Sequence, residues 1–72
     1  MSIYQRLKDL REDADKSQEE IARIIGTSQS YYAQYENGKR SIPFERMVAL
    51  AIYYNVSLDY IAGFIDTPRK LQ

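Results

Sequence analysis

The sequence predicts a compact all-α domain of five helices. Apolar residues recur at intervals of three and four along most of the chain, which is helical spacing. Serine, glycine and proline fall where such helices would start and stop. Two prolines, three glycines and few β-branched runs speak against a sheet.

The elements follow in order. A first helix is expected over Ser2–Asp13, with Ile3, Leu7 and Leu10 on one face. The second is expected over Ser17–Ile25. It opens on S-Q-E-E, in which Ser17 caps the helix and Glu20 returns the hydrogen bond. Gly26 can take the left-handed backbone that ends it. Ser28 is placed to cap a third helix running to Asn37, with Gly38 as the next stop. A fourth, Pro43–Tyr54, has proline in its first turn and Ser41 or Ile42 before it. Its apolar positions are Met47, Leu50, Ala51 and Tyr54. Ser57 opens a short fifth helix to Ala62, which Gly63 can close. Residues 1–65 therefore form one small domain, and residues 66–72 are expected to be a short, frayed C-terminal tail.

Composition narrows the function. The chain has 72 residues, no cysteine and no histidine, which removes the commonest metal ligands, a disulfide framework and the usual general base. No metal, cofactor or small-molecule ligand is expected, and the chain is not expected to be an enzyme. The start lacks the apolar stretch of a signal peptide, and the longest apolar run is far shorter than the ~20 residues of a membrane span. A cytoplasmic location is expected. The formal net charge is zero, but the acids crowd between Asp9 and Glu20, while Lys39 and Arg40 stand together. A neutral total still permits one locally positive face. The acidic run EDADKSQEE lacks the glycine and terminal glutamate of a calcium loop and reads as a solvated turn with a negatively charged helix start.

The stretch SQSYYAQYENGKR, from Ser28 to Arg40, is the informative one. Ile21 and Ile25 lie on one face of the second helix, and Ala22 is small where a following helix would cross. Gly26 permits a sharp reversal, as a helix-turn-helix needs. In the third helix Tyr32 and Tyr35 share a face and can enter the same core. The opposite face holds Gln29, Ser30, Ala33 and Gln34, with Asn37 at its end. A solvated helix face normally carries Lys and Glu pairs. This one carries amides and hydroxyls, which donate and accept hydrogen bonds and suit base edges in a major groove. Ala33 leaves room for close approach and for contact with a thymine methyl.

The segments RLKDLRED, SQEEIARIIGTSQSYYAQYENGKR and ALAIYYNVSLDYIAG, from about Ile3 to Gly63, together resemble the lambda-repressor-like, Cro/repressor (XRE) family of helix-turn-helix DNA-binding proteins. The resemblance implies that the third helix enters the major groove of double-stranded DNA, with Gln29, Ser30, Ala33 and Gln34 against bases. It places Gln18, Ser28, Tyr31, Asn37, Lys39 and Arg40 at phosphates; Tyr31 lies between the two faces and either presses on the backbone or covers the helix. It also implies a structural ion pair between Arg11 and Glu36. Between the first two helices the family often has Gly-Leu, where this chain has Asp15-Lys16; aspartate tolerates the left-handed backbone, so the turn can survive. Tyr32 and Tyr35 replace smaller aliphatics, and each hydroxyl must reach solvent or a partner.

The aromatic residues after the third helix exceed what one small core can bury. Tyr53, Tyr60, Phe64 and Ile65 are expected to form a twofold homodimer interface, which would bring two recognition helices to successive half-sites. The expected function is sequence-specific DNA binding by a transcriptional repressor. The alternative is a protein-interaction module, an antitoxin or adaptor, that uses the same aromatic surface.

Overall fold

The architecture comes from a computed structural model that describes residues 2–70. Its five helices are α1 (Ile3–Asp13), α2 (Gln18–Ile25), α3 (Gln29–Glu36), α4 (Phe44–Tyr54) and α5 (Leu58–Ala62). There is no strand among the described residues. Four of the five helices begin at a serine whose hydroxyl accepts a backbone N–H of the first turn: Ser2, Ser17, Ser28 and Ser57. At Ser17 the capping box is complete, with Glu20 Oε1 accepting the Ser17 N–H at 3.0 Å. The fourth start differs from expectation. Pro43 precedes the helix as its N-cap instead of sitting inside the first turn, and no side chain caps it. Proline's fixed φ suits either place, and its missing N–H leaves nothing there to satisfy.

One core unites the helices. Leu7, Ile21, Tyr32, Leu50 and Ile61, one from each, are almost wholly withdrawn from water. Tyr32 and Tyr35 enter it edge to face, with ring centroids 6.4 Å apart. Packed against α1 and α2, α3 has only its outer side free, while α5 seats on α1 and α4. The reversal between α2 and α3 depends on Gly26 at φ +81°, a left-handed conformation that a side chain would strain. Arg46 of α4 locks this turn from outside, its Nη1 donating to the carbonyls of Ile25 at 3.0 Å and Gly26 at 2.7 Å. Asp15 does adopt positive φ, at 56°, between α1 and α2.

The segment from Asp66, expected to fray, folds back instead. The Ser57 N–H donates to the Arg69 carbonyl at 2.7 Å, and the Asp66 carboxylate reaches Arg6 at 3.4 Å. A short chain that returns to the helix it has just left can satisfy backbone groups that would otherwise face water. Residues 71–72 of that expected tail lie outside the described residues.

Candidate nucleic-acid interface

The outer side of α3 is built from its first residue. Ser28 Oγ accepts the Tyr31 N–H at 3.1 Å, so this hydroxyl is occupied as the helix cap. Beyond it Gln29 and Ser30 are exposed, Ala33 and Gln34 half-buried, and no charged side chain falls among them. At the far end Lys39 and Arg40 both donate their backbone N–H to the Gln34 carbonyl, at 3.0 and 3.2 Å. Asn37 Oδ1 accepts the same Lys39 N–H at 3.1 Å, closing an Asx-type turn. The two cations are thereby fixed close to the helix they follow.

A chain of polar side chains anchors this face from beneath. Arg11 grips Glu36 with two nitrogens, Nε to Oε2 at 2.7 Å and Nη2 to Oε1 at 3.2 Å, while its Nη1 donates to the Lys16 carbonyl at 2.9 Å. Gln18 Nε2 donates to Glu36 Oε1 at 3.2 Å, which turns Gln18 Oε1 outward to accept Gln29 Nε2 at 2.9 Å. The family resemblance implies a phosphate contact for Gln18; the structure gives both ends of its amide to neighbours within the protein. An amide has donor and acceptor on one carbon, so fixing one end fixes the other. Gln29 is left with its Oε1 and one N–H toward solvent.

Electrostatics reinforce the anchor. Burial pulls the Glu36 carboxyl upward, but hydrogen bonds from Arg11 and Gln18, the nearby Tyr32 hydroxyl and the Arg11 charge outweigh it, and the group sits below its ordinary range. The hydrogen bond to Glu36 in turn raises Arg11. Tyr32 directs its hydroxyl at this carboxylate without reaching a well-formed hydrogen bond; burial first, then the adjacent Glu36, push that phenol far above its usual value. Tyr54, half-buried with its hydroxyl enclosed, is raised by burial and by Tyr53.

The second half of the face is organised differently. Gln34 Nε2 donates to the Ser30 carbonyl at 3.3 Å, and Gln34 Oε1 accepts Arg40 Nε at 3.4 Å. The Arg40 guanidinium lies over the Tyr31 ring, 4.2 Å from its centroid. Sequence reading missed Lys8 of α1, which lines a shallow cleft with Arg11, Gln18, Ala33, Glu36 and Asn37. Its spacing of three from Arg11 was the available signal, since residues so spaced share a helix side.

The aromatic residues expected at an interface do not share one environment. Tyr53 packs edge to face on Tyr54 at 5.0 Å, and Tyr60 is half-buried with Arg6 3.8 Å above its ring. Ile65 is half-buried and its carbonyl accepts Arg6 Nη1 at 3.3 Å, whereas Phe64 stands 84% exposed. Two further exposed apolar side chains, Phe44 and Ile52 on α4, were not singled out by spacing.

Comparison with known proteins gives a consistent picture. A family model described as helix-turn-helix matches residues 7–61. An uncharacterized HTH-type transcriptional regulator, YobD of Bacillus subtilis (strain 168), is 41% identical over 64 residues, covering 89% of this chain and 57% of that protein. The cryptic phage CTXphi transcriptional repressor RstR of Vibrio cholerae is 38% identical over 62 residues, covering 86% of this chain and 56% of the relative. The chain thus spans a little over half the length of these curated relatives. Among solved structures, the P22 c2 repressor in complex with synthetic operator 9T superposes with a TM-score of 0.81 at 21% identity, covering 88% of this chain and 96% of that one. At that identity the likeness shows a shared fold.

Proposed function

Because the chain belongs to the Cro/C1-type (XRE) helix-turn-helix family, we propose that it is a sequence-specific DNA-binding transcriptional regulator, acting as a repressor by occluding its operator. The observation that carries this reading is the outer face of α3: amides, a hydroxyl and a methyl, free of charge, clipped to α2 through Gln18 and ended by two cations that pair with no carboxylate among the described residues. Gln29, Ser30 and Ala33 face bases at the centre of the groove, with Gln34 beside them. Asn37 and Lys39 meet phosphates past the helix end, joined by the amide groups at the start of α2. Lys8 lies on the same side and adds a further cation. The partner is double-stranded DNA, and the protein acts as a homodimer whose contact includes the exposed Phe64.

Selection of bound sequences from a random DNA pool, followed by a salt titration, tests this directly. A preferred site should emerge, with Gln29→Ala losing ~1–3 kcal/mol there and relaxing one position. Lys39→Ala should weaken every sequence alike and flatten the salt dependence. Absence of any DNA binding at low salt would refute the assignment. Sedimentation that shows monomer alone at high concentration would remove the dimer.

A further inference from the structure

Lys39 and Arg40 are adjacent, yet the structure treats them differently. Lys39 is held only through its backbone, and its ammonium is a solvated point charge. Arg40 is restrained at three places: its N–H on the Gln34 carbonyl at 3.2 Å, its Nε on Gln34 Oε1 at 3.4 Å, and its guanidinium carbon 4.2 Å from the Tyr31 ring centroid. The side chain therefore runs backward along α3. It brings a charge from beyond the helix end to the level of Tyr31, the third residue of α3 (Gln29–Glu36). That is the N-terminal half, the part of a recognition helix that meets base edges.

The chemistry of the restraints matters as much as their position. Stacking occupies the face of the guanidinium, and Gln34 takes its Nε, so the two terminal nitrogens along the planar edge have no partner among the described residues. That edge is a preformed fork, matched to an acceptor pair such as O6 and N7 of guanine in the major groove. No carboxylate competes for it among the described ion pairs. Gln34 has committed both ends of its amide, with Nε2 on the Ser30 carbonyl and Oε1 on Arg40, and keeps one further N–H. We infer that Arg40 is a specificity-determining residue that reads a guanine in each half-site, with Tyr31 and Gln34 as the positioning residues that aim it. This rests on the DNA-binding reading above and replaces, for Arg40, a phosphate contact with a base contact.

Affinity of the full 72-residue chain for its pool-selected site, and for a panel with each base pair replaced in turn, separates the two roles. Wild type, Arg40→Lys, Arg40→Ala, Tyr31→Leu, Gln34→Ala and, as a control, Lys39→Ala are compared by fluorescence anisotropy at two salt concentrations. Arg40→Lys retains the charge but loses the fork. It should cost roughly tenfold or more on the selected site, and discrimination at one guanine position should vanish while the other positions keep theirs. Tyr31→Leu and Gln34→Ala should blunt discrimination at that same position. Circular dichroism confirms that each variant is folded, as expected for changes at an outward face. Equal loss on every panel member by Arg40→Lys and Arg40→Ala, with only the salt slope altered, would overturn the inference. So would a selected site with no guanine whose replacement matters. Both outcomes leave DNA binding intact and so differ from a wild type that binds no DNA.

Discussion

Helix α1 carries two arginines five positions apart, and the fold disposes of their charges in opposite ways. Arg11 meets a carboxylate that is itself only 5% exposed, at 2.7 Å, and its three guanidinium nitrogens all have partners. The Arg6 side chain is more deeply buried, at 3%, yet its carboxylate partner Asp66 is 84% exposed and stands 3.4 Å away. Arg6 Nε has no hydrogen-bond partner among the described residues. What holds Arg6 is the Tyr60 ring beneath it and the Ile65 carbonyl. The first site is a desolvated, fully bonded charge pair; the second is a cation sealed under an aromatic ring with a solvent-side anion for company. Coulombic attraction is strong where water is excluded and weak where one partner is hydrated. The contrast teaches that burial of one charge says little about the worth of its salt bridge; the burial of both does.

The sharpest way to break this comparison is at Glu36. Glu36→Ala strands the Arg11 guanidinium and the Gln18 amide and should cost ~3–5 kcal/mol in urea unfolding. A cost below about 1 kcal/mol would show that the pair is no more than a surface bridge. Next in size is the acid limb of stability. The Glu36 carboxyl titrates below its usual range in the folded protein. The unfolded chain therefore takes the proton first. The contribution is complete above the unfolded value of about 4.3 and is lost as pH falls through the folded one. Glu36→Gln should flatten that part of the pH profile relative to wild type, and an unchanged slope would contradict the depressed titration. Smaller again, Tyr60→Leu keeps an apolar cover but removes the ring face under Arg6, with an expected loss of ~0.5–2 kcal/mol by thermal melting. The smallest effect belongs to Asp66→Asn, ~0–1 kcal/mol, because its carboxylate is hydrated already. If Asp66→Asn exceeded Tyr60→Leu, the order assigned to the two supports of Arg6 would be reversed.

The helical framework was legible because its signals are local. Ser17 with Glu20, Gly26, Ser28 and Ser57 each act within a few residues, and each marks an observed helix end. Core positions such as Ile21, Tyr32 and Leu50 followed from spacing for the same reason. The Arg11–Glu36 contact came only through the family resemblance, since nothing local joins residues 25 apart. The Arg6 contacts to Ile65 and Asp66 span 59 and 60 residues, and no pattern around Arg6 distinguishes it from a solvated surface arginine. Likewise, Gln18 reads as an exposed polar residue until α3 arrives beside it. The fold-back of the segment after α5 depends on a hydrogen bond between Ser57 and Arg69, and backbone partners of that kind leave no trace in residue identity.

Gly38, at φ +79°, turns the chain just after α3, and a methyl placed there would meet the Tyr4 ring at 3.3 Å. Any side chain there would be strained by the left-handed backbone, and the Tyr4 ring would have to give by a few tenths of an ångström. A laboratory retargeting of this scaffold to other operators therefore has a natural division of its library. Positions along the outer side of α3 are open to randomisation, whereas Gly38 is best left unchanged, since the hinge that sets the reach of the two following cations uses a left-handed backbone that side chains strain.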